Sequence, residues 1–158
     1  MALTIRKGGE MDFPEILGLI RELAAFSKAP PDTVRNSVDR MKQDSGLFRS
    51  FVAESDGKIV GFALYFFSYS TWVGRSIYIE DLYIKPDFRR RRVGSMLIKA
   101  VFEVAEKEHC NRVRLQVLNW NENAISFYKK HGGVIHDEWL TCDFEEPAIK
   151  QFLEHGAE

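Results

Sequence analysis

Residues 78–97, YIEDLYIKPDFRRRRVGSML, join an acidic strand to a basic turn and then to an amphipathic helix. After Gly94, apolar side chains recur with the spacing of one helix face, at Leu97, Ile98, Val101, Phe102 and Ala105. The arginines at 89–92 therefore stand directly before a helix N-terminus, where the helix dipole and free backbone N–H groups favour anions. We expect the amides of residues 92–95 and the guanidinium groups to hold a ligand that carries several phosphates.

Two other interpretations of the arginine run compete with this one. A run of like charges is commonly a solvated turn, and it can also be a nucleic-acid-binding or nuclear-import patch. The chain has 22 basic and 23 acidic residues and a net charge of −1, so no general positive field surrounds it. The sequence therefore predicts no nucleic-acid partner.

Length and composition predict one globular domain over residues 1–158, because 45% of the residues are hydrophobic and can form a single core. The longest apolar run, IVGFALYFF at 59–67, has the length of a strand and is far short of the ~20 residues that span a bilayer. The N-terminal MALTIRKGG lacks the apolar segment of a signal peptide. We expect a protein of the cytosol or nucleus, with the cytoplasm as the predicted compartment, and no membrane partner.

The cysteines and histidines do not suggest a metal site. Cys110 and Cys142 lie far apart without CxxC spacing, which favours free thiols in a reducing compartment. The four histidines do not form HExxH or another familiar ligand spacing: His109, His131, His136 and His155. We predict no metal.

The chain alternates predicted strands and helices. A strand pattern occurs at 3–6, 51–54, 59–68, 75–84, 113–118 and 138–144, with a hairpin signal at Asp56-Gly57. Helices are expected from Asp12 as N-cap, from Asp32 or Thr33 to about Gln43, over 94–108, from Asn121 to about Lys130 before Gly132-Gly133, and from Pro147. A strand meander followed by a strand-helix-strand unit predicts an α/β (α+β) sandwich, with a mixed, largely antiparallel central sheet and helices on both faces.

The strand at 75–84 changes its pattern in the middle. Ile77 and Ile79 lie on one parity, whereas Leu82 and Ile84 lie on the other. Such a switch indicates either a strand buried on both faces or a β-bulge near 80–82, which would leave amides free for a ligand. Adjacent acids in an apolar strand are costly unless they are used, so we expect one of the acids at 80 and 81 to be functional.

Two segments resemble signatures of the GNAT superfamily of N-acetyltransferases. PDFRRRRVGS, residues 86–95, is similar to its acetyl-CoA pyrophosphate loop, and NWNENAISFYKKHG, residues 119–132, is similar to its second signature. SYSTWVGRSIYIEDLYI at 68–84 and QVLNWN at 116–121 resemble the diamine and thialysine N-acetyltransferase branch, the thialysine type more closely. The resemblance covers residues 3–145 and implies the acetyltransferase fold, acetyl-CoA as cosubstrate and a homodimer.

The resemblance also implies catalytic roles. Tyr128 would be the general acid that protonates the departing thiolate of coenzyme A. Glu80 would help to deprotonate the incoming amine through water, because an amine with a pKa of ~10.4 is protonated at neutral pH. Asp81 would attract the substrate cation.

The same match implies the binding residues. Those for acetyl-CoA are Leu82, Tyr83 and Ile84 at the pantetheine arm, Arg89, Arg90, Arg91, Arg92, Val93, Gly94 and Ser95 at the pyrophosphate, and Asn121, Glu122, Asn123, Ala124, Tyr128 and Lys130 from the next helix. Those for the acceptor amine are Glu80, Asp81, Ser27, Trp72, Arg114, Leu115, Gln116 and Trp139.

Two departures from the family pattern refine the expectation. Arg92 stands where the first loop glycine is usual, so a positive φ there would cost about 1–2 kcal/mol. The polyamine enzymes carry acids in the region that matches 26–32, where this chain has FSKAPPD with Lys28. Fewer anions near the entrance favour a small monoamine or an amino-acid side chain over a long polycation.

The leading hypothesis is therefore an acetyl-CoA-dependent N-acetyltransferase acting on a primary amine of a small molecule, by direct attack in a ternary complex. The alternatives are acetylation of a protein or peptide amine, a coenzyme A-binding sensor without catalysis, and, last, a nucleic-acid-binding module.

Overall fold

The computed structural model describes residues 3–156. By its internal contacts the chain divides into two compact units, which within the described residues comprise 3–118 and 119–156. A single domain over residues 1–158 stays a prediction. Among residues 3–156, no helix is both long and apolar enough to cross a membrane.

The first unit contains a five-stranded sheet. Its strands are β1 (Leu3–Lys7), β2 (Arg49–Ser55), β3 (Lys58–Ser70), β4 (Gly74–Ile84) and β5 (Arg112–Leu115), in the spatial order β1-β2-β3-β4-β5. The first three pairings are antiparallel and the β4–β5 pairing is parallel. Asp56 and Gly57 close the β2–β3 hairpin with φ values of 51° and 75°, the left-handed conformations that a two-residue primed turn requires.

Helices cover both faces of this sheet. On one face α3 (Val93–Lys107) buries Leu97 and Val101 against Ala63 and Tyr65 of β3. On the other, α1 (Phe13–Phe26) and α2 (Val38–Gln43) pack against Phe62 and Leu64 of β3 together with Val52 of β2. Alternate residues of one strand therefore supply two separate cores, as period-two side-chain alternation requires. The predicted fold class is confirmed.

The first helix begins after Asp12, as predicted, but without the capping bond, and the second helix begins later than predicted. Asp12 precedes α1, but its carboxylate accepts the Gly9 N–H at 2.8 Å and pairs with Arg6 at 2.9 Å instead of capping α1. A helix from Asp32 or Thr33 is wrong: α2 begins at Val38, where the Ser37 hydroxyl accepts the Arg40 N–H at 3.2 Å. The cap therefore lies four or five residues later than the polar pattern suggested.

The second unit consists of α4 (Glu122–Lys130), α5 (Glu146–His155) and irregular backbone. The helix α4 begins as predicted, with the Asn121 side chain accepting the Ala124 N–H at 3.2 Å. It ends at a left-handed Gly132, where Gly132 N–H and Gly133 N–H donate to the carbonyls of Lys129 and Tyr128. The strand predicted at 138–144 is wrong, because this segment has no ladder partner and is irregular.

Candidate active site

A β-bulge interrupts β4 at Glu80. Asp81 pairs with Leu64 of β3 and Ile79 pairs with Tyr65, so Glu80 is the one extra residue between two consecutive partners. Ile79 and Leu82 are three positions apart and would face opposite sides of a regular strand. Because of the bulge, both contact the core beneath α3. Of the two interpretations of the parity switch, the bulge is confirmed, and it leaves the Glu80 side chain exposed.

Asp81 is in a different environment from Glu80. Its cross-strand partner Leu64 belongs to the core beneath α1 and α2, so the half-buried Asp81 carboxyl points to that side of the sheet. Burial, assisted by the neighbouring negative charge of Glu80, raises the pKa of Asp81 to about 6. The site therefore holds one exposed carboxylate and one carboxyl that loses its proton only near neutral pH.

The edge of β4 beyond the bulge is open on the side of β5. The β4–β5 pairing covers only Ser76–Ile79 against Arg112–Leu115, and within residues 3–118 no strand continues it along residues 80–84. Backbone N–H and C=O groups that a strand partner does not use can pair with an extended ligand. This edge carries the predicted pantetheine residues Leu82, Tyr83 and Ile84.

Tyr78 lies beside Glu80 and is a residue that the sequence analysis missed. It pairs in register with Arg114 of β5 and stacks on Phe66 with ring centroids 5.4 Å apart. Burial and the charge of Glu80 raise the pKa of Tyr78, whereas Arg114 lowers it, so both charges act on the phenol. The only signal in the sequence was the position of Tyr78 two residues before Glu80, on a strand whose bulge was not yet established.

The arginine turn begins where β4 ends. A Cβ placed on Gly94 would lie 3.5 Å from Ile84 Cδ1, so the start of α3 is in contact with the end of the open edge. Arg90 and Arg92 both adopt left-handed backbone, with φ of 61° and 63°, whereas Arg91 between them does not. Alternating hands of this kind point successive N–H groups into one concavity, which binds anions.

The N-terminus of α3 has no acceptor of its own. Arg92 occupies the N-cap position and makes no side-chain hydrogen bond to the helix. Within residues 3–118 no hydrogen bond or ion pair engages the exposed side chains of Arg90 and Arg92, and Arg91 lies with its guanidinium 5.4 Å from the Phe88 ring centroid. Free helix amides together with unpaired guanidinium groups fit a polyanion such as the phosphates of coenzyme A.

The other residues predicted for the acceptor lie at several places in the first unit. Ser27 follows the last turn of α1, Arg114 and Leu115 end β5, and Gln116 comes next in the chain. Trp72 is 80% exposed at the tip of the β3–β4 hairpin, where its backbone N–H donates to Ser70 Oγ. The structure therefore brings Glu80 and Arg114 together at Tyr78 and places Trp72 on a separate hairpin tip.

The second unit carries the remaining predicted residues. Asn121 caps α4, the residues Glu122, Asn123 and Ala124 form its first turn, and Tyr128 and Lys130 lie in its last turns. Burial raises the pKa of the Tyr128 phenol. Trp139 lies in the irregular segment and is 67% exposed. In residues 3–156 no group of three or more His, Cys, Asp or Glu side chains could hold a metal ion.

Sequence comparison identifies relatives of this chain. Residues 16–133 match the sequence model of the Acetyltransferase (GNAT) family. The chain is 40% identical to thialysine N-epsilon-acetyltransferase of Bos taurus, over 94% of this chain and 96% of that protein. It is 32% identical to spermidine/spermine N(1)-acetyltransferase-like protein 1 of Homo sapiens, over 82% of this chain and 20% of that protein.

Solved structures share the fold at lower identity. One is an aminoglycoside acetyltransferase from an uncultured soil metagenomic sample in complex with sisomicin, with a TM-score of 0.75, 20% identity, and coverage of 90% of this chain and 95% of that one. Another is an aminoglycoside N-acetyltransferase in complex with CoA, with a TM-score of 0.72, 19% identity and the same coverage of 90% and 95%. The predicted family resemblance and enzyme class are confirmed.

Proposed function

The chain belongs to the acetyltransferase (GNAT) family, and on this premise we propose that it transfers the acetyl group of acetyl-CoA to a primary amine of a small molecule. The reaction is direct attack in a ternary complex. One observation carries the proposal: the bulged, one-sided edge of β4 leads directly to an uncapped helix N-terminus with unpaired arginines. An acyl carrier with an extended arm and a polyphosphate end matches that order of groups.

The cosubstrate is held by backbone more than by side chains. The open edge at Leu82, Tyr83 and Ile84 pairs with the amide-containing arm. The amides of Val93, Gly94 and Ser95, with the arginines at 90–92, hold the phosphates. Asn121, Glu122, Asn123, Ala124 and Lys130 are the further cofactor contacts that we assign to α4. When bound, acetyl-CoA supplies an acetyl group activated as a thioester.

Side chains move the protons. The Glu80 carboxylate accepts a proton from the acceptor ammonium through water, because the charged amine has no free electron pair for attack. Asp81, ionised above pH 6, attracts the cation, and Tyr78 and Arg114 border the same place. The Tyr128 phenol, which carries its proton at neutral pH, donates that proton to the departing sulfur.

The acceptor that we favour is thialysine or a related amino-acid side chain, before a diamine or polyamine. The relatives named thialysine N-epsilon-acetyltransferase reach 40% identity over nearly the whole chain. The segment after α1 presents Ser27 and Lys28 instead of acidic residues, so a long polycation meets less attraction there. Ser27, Leu115, Gln116 and Trp139 complete the proposed acceptor contacts. Trp72 stays a prediction from the resemblance, because it lies on the separate hairpin tip.

We also assign a homodimer and a cytoplasmic location to the working enzyme. Both follow from the resemblance to the thialysine and diamine acetyltransferases and from the expectations drawn from the sequence. Sedimentation of the purified protein tests the dimer, for which a species of twice 18.3 kDa is expected. Monomer alone at micromolar concentration would contradict it.

Thiol release from acetyl-CoA tests the function. The purified protein is assayed with thialysine, lysine, ornithine, putrescine, spermidine and short peptides, and highest kcat/KM is expected for thialysine or another small amino-acid amine. Preference for spermidine would show that the acids of β4 suffice to recruit polycations, and preference for peptides would move the protein to the peptide-acetylating alternative. If acetyl-CoA binds but no amine causes thiol release, the non-catalytic sensor is the remaining hypothesis.

Tyr128→Phe tests the proton donor within the same assay. Because the phenol acts on the leaving sulfur, we expect kcat to fall at least about thirtyfold while the Kd for coenzyme A stays within about twofold. Phe127→Leu on the same helix is the control for packing. An unchanged kcat in Tyr128→Phe would remove this residue from the mechanism.

A further inference from the structure

Arg89 differs from the other members of the arginine turn, because its side chain is already engaged within the protein. Its Nε donates to the carbonyl oxygen of Ile84 at 2.9 Å. Its guanidinium carbon lies 4.9 Å from the ring centroid of Phe26 and 5.4 Å from that of Tyr83. A planar guanidinium between two rings and a carbonyl has little freedom left to follow a phosphate.

The engagement extends to the last turns of α1. Tyr83 Oη donates to Glu22 Oε2 at 3.2 Å, and Lys85 Nζ lies 3.6 Å from Glu22 Oε1. The end of β4, the end of α1 and the first residue of the turn are thereby joined through one set of polar and ring contacts. We name Glu22, Phe26, Tyr83 and Arg89 the clamp.

The position of the clamp gives it a consequence for binding. Arg90 and Arg92 have left-handed backbones, which cost conformational energy in any residue other than glycine. Arg89 immediately precedes Arg90. On the α1 side, Phe26 immediately precedes Ser27 in the segment that we assign to the acceptor. A group that fixes Arg89 against α1 therefore acts on the anion-binding backbone and on the acceptor segment at once.

We propose that Arg89 is a positioning residue, which holds the anion-binding turn in shape by bonding to Ile84 and stacking on Phe26 and Tyr83, rather than a phosphate ligand. This inference rests on the proposed function for its effect on binding, but its structural part does not. It replaces the expectation that all four arginines contact the cosubstrate. It also assigns a role to Phe26 and Glu22, which no motif had marked.

Phe26→Leu is the decisive variant, since it removes the ring under Arg89 without changing any charge. Amide hydrogen exchange of the ligand-free protein is measured first, and we expect exchange at residues 90–95 to accelerate by about three- to tenfold, the range that loss of one such ring contact allows. Phe26→Tyr keeps a ring and should restore wild-type exchange. Phe102→Leu, which alters a similarly half-exposed phenylalanine on α3, should leave residues 90–95 unchanged.

Calorimetric titration with coenzyme A gives the second readout. Arg89→Lys keeps the charge but loses the planar stack and the Nε donor. We therefore expect Arg89→Lys and Phe26→Leu to raise the Kd for coenzyme A by a similar factor, about three- to tenfold. The double variant should bind coenzyme A no more weakly than either single variant. The KM of the amine should rise with the Kd while kcat stays within about twofold. A phosphate ligand would instead make Phe26→Leu neutral and the two effects independent.

The outcomes separate the two proposals. Unchanged exchange in Phe26→Leu would overturn the clamp whether or not the protein is an acetyltransferase. Accelerated exchange in a protein that releases no thiol with any amine would support the clamp and contradict the proposed function alone.

Discussion

Residues 76–79 of β4 pair with β3 on one side and with β5 on the other. Residues 80–84 of the same strand have only β3 as a neighbour within residues 3–118, with Glu80 bulged out and residues 81–84 paired. In the first part Ile77 and Ile79 are almost completely buried, and in the second Glu80 is exposed and Asp81 is half-buried without an ion-pair partner within residues 3–118. One bulge separates the two parts. The difference shows that one strand can hold the sheet together along part of its length and leave backbone groups and carboxyls unpaired along the rest.

The largest effect should come from the first part of the strand. Ile77→Ala removes a side chain that is 0% exposed in the core beneath α3, so we expect it to lower the free energy of unfolding by about 3 kcal/mol. Urea denaturation measures this loss, and the Kd for coenzyme A of the molecules that remain folded should not change. A large rise in Kd with little loss of stability would contradict the assignment of residues 76–79 to stability and residues 80–84 to binding.

Asp81→Asn should have a slightly smaller effect of opposite sign. Because the folded-state pKa of Asp81, about 6, lies above the usual value of 3.8, its contribution to stability is fully present below about pH 4 and is lost as pH rises through 6. At pH 7 the variant should therefore be more stable than the parent, by at most about 2–3 kcal/mol, and should lack the fall between pH 4 and 6.

Urea denaturation across pH 4 to 8 checks this prediction, with the exposed Asp87→Asn as the control. The same variant should bind the amine more weakly, since its attraction for the cation is gone. A pH profile of stability identical to that of the parent would mean that ionisation of Asp81 does not destabilise the folded protein.

Glu80→Gln should affect rate and leave stability nearly unchanged, because this side chain projects from the bulge into solvent. We expect kcat/KM to fall about tenfold at pH 7, and the deficit to shrink as pH approaches the pKa of the amine, which then needs no base. The pH–rate profile is the measurement. A constant deficit at every pH would exclude proton acceptance as the role of Glu80.

Ser76→Ala should give the smallest effect. The buried Ser76 hydroxyl donates to the Gly74 carbonyl at 3.0 Å, and removing it should cost about 1 kcal/mol in unfolding free energy without changing kcat. Thermal denaturation and the thiol-release assay measure the two quantities side by side. A fall in kcat would mean that the doubly paired part of β4 also serves the reaction.

Local signals sufficed for much of the fold. The left-handed pair Asp56-Gly57, the Asn121 cap and the glycine pair after α4 lie within a few residues of the elements that they begin or end, and all three were predicted. The strand predicted at 138–144 failed because apolar alternation describes a strand only when a neighbour completes its ladder, and the sequence does not name that neighbour.

The candidate site shows the same limit. The motif marked residue 92 as a position where a positive φ would be costly, and Arg92 does have a positive φ. The second left-handed residue, Arg90, was not foreseen, because the glycine that usually marks such a conformation is absent. Arg89 was assigned to the phosphates by its place in the motif. Its contacts with Phe26, 63 positions earlier in the numbering of the chain, are tertiary and leave no trace in local spacing.

The extra residue at Glu80 determines which face of the sheet each later side chain of β4 occupies. Leu82 and Ile84 reach the core beneath α3 only because two residues, and not one, separate Ile79 from Leu82. Substitutions at 80 and 81 change those side chains but not the direction of the later ones. A one-residue deletion there would turn every later side chain of the strand to the opposite face. The length of this segment, independently of its composition, therefore determines which side chains of β4 face the core beneath α3.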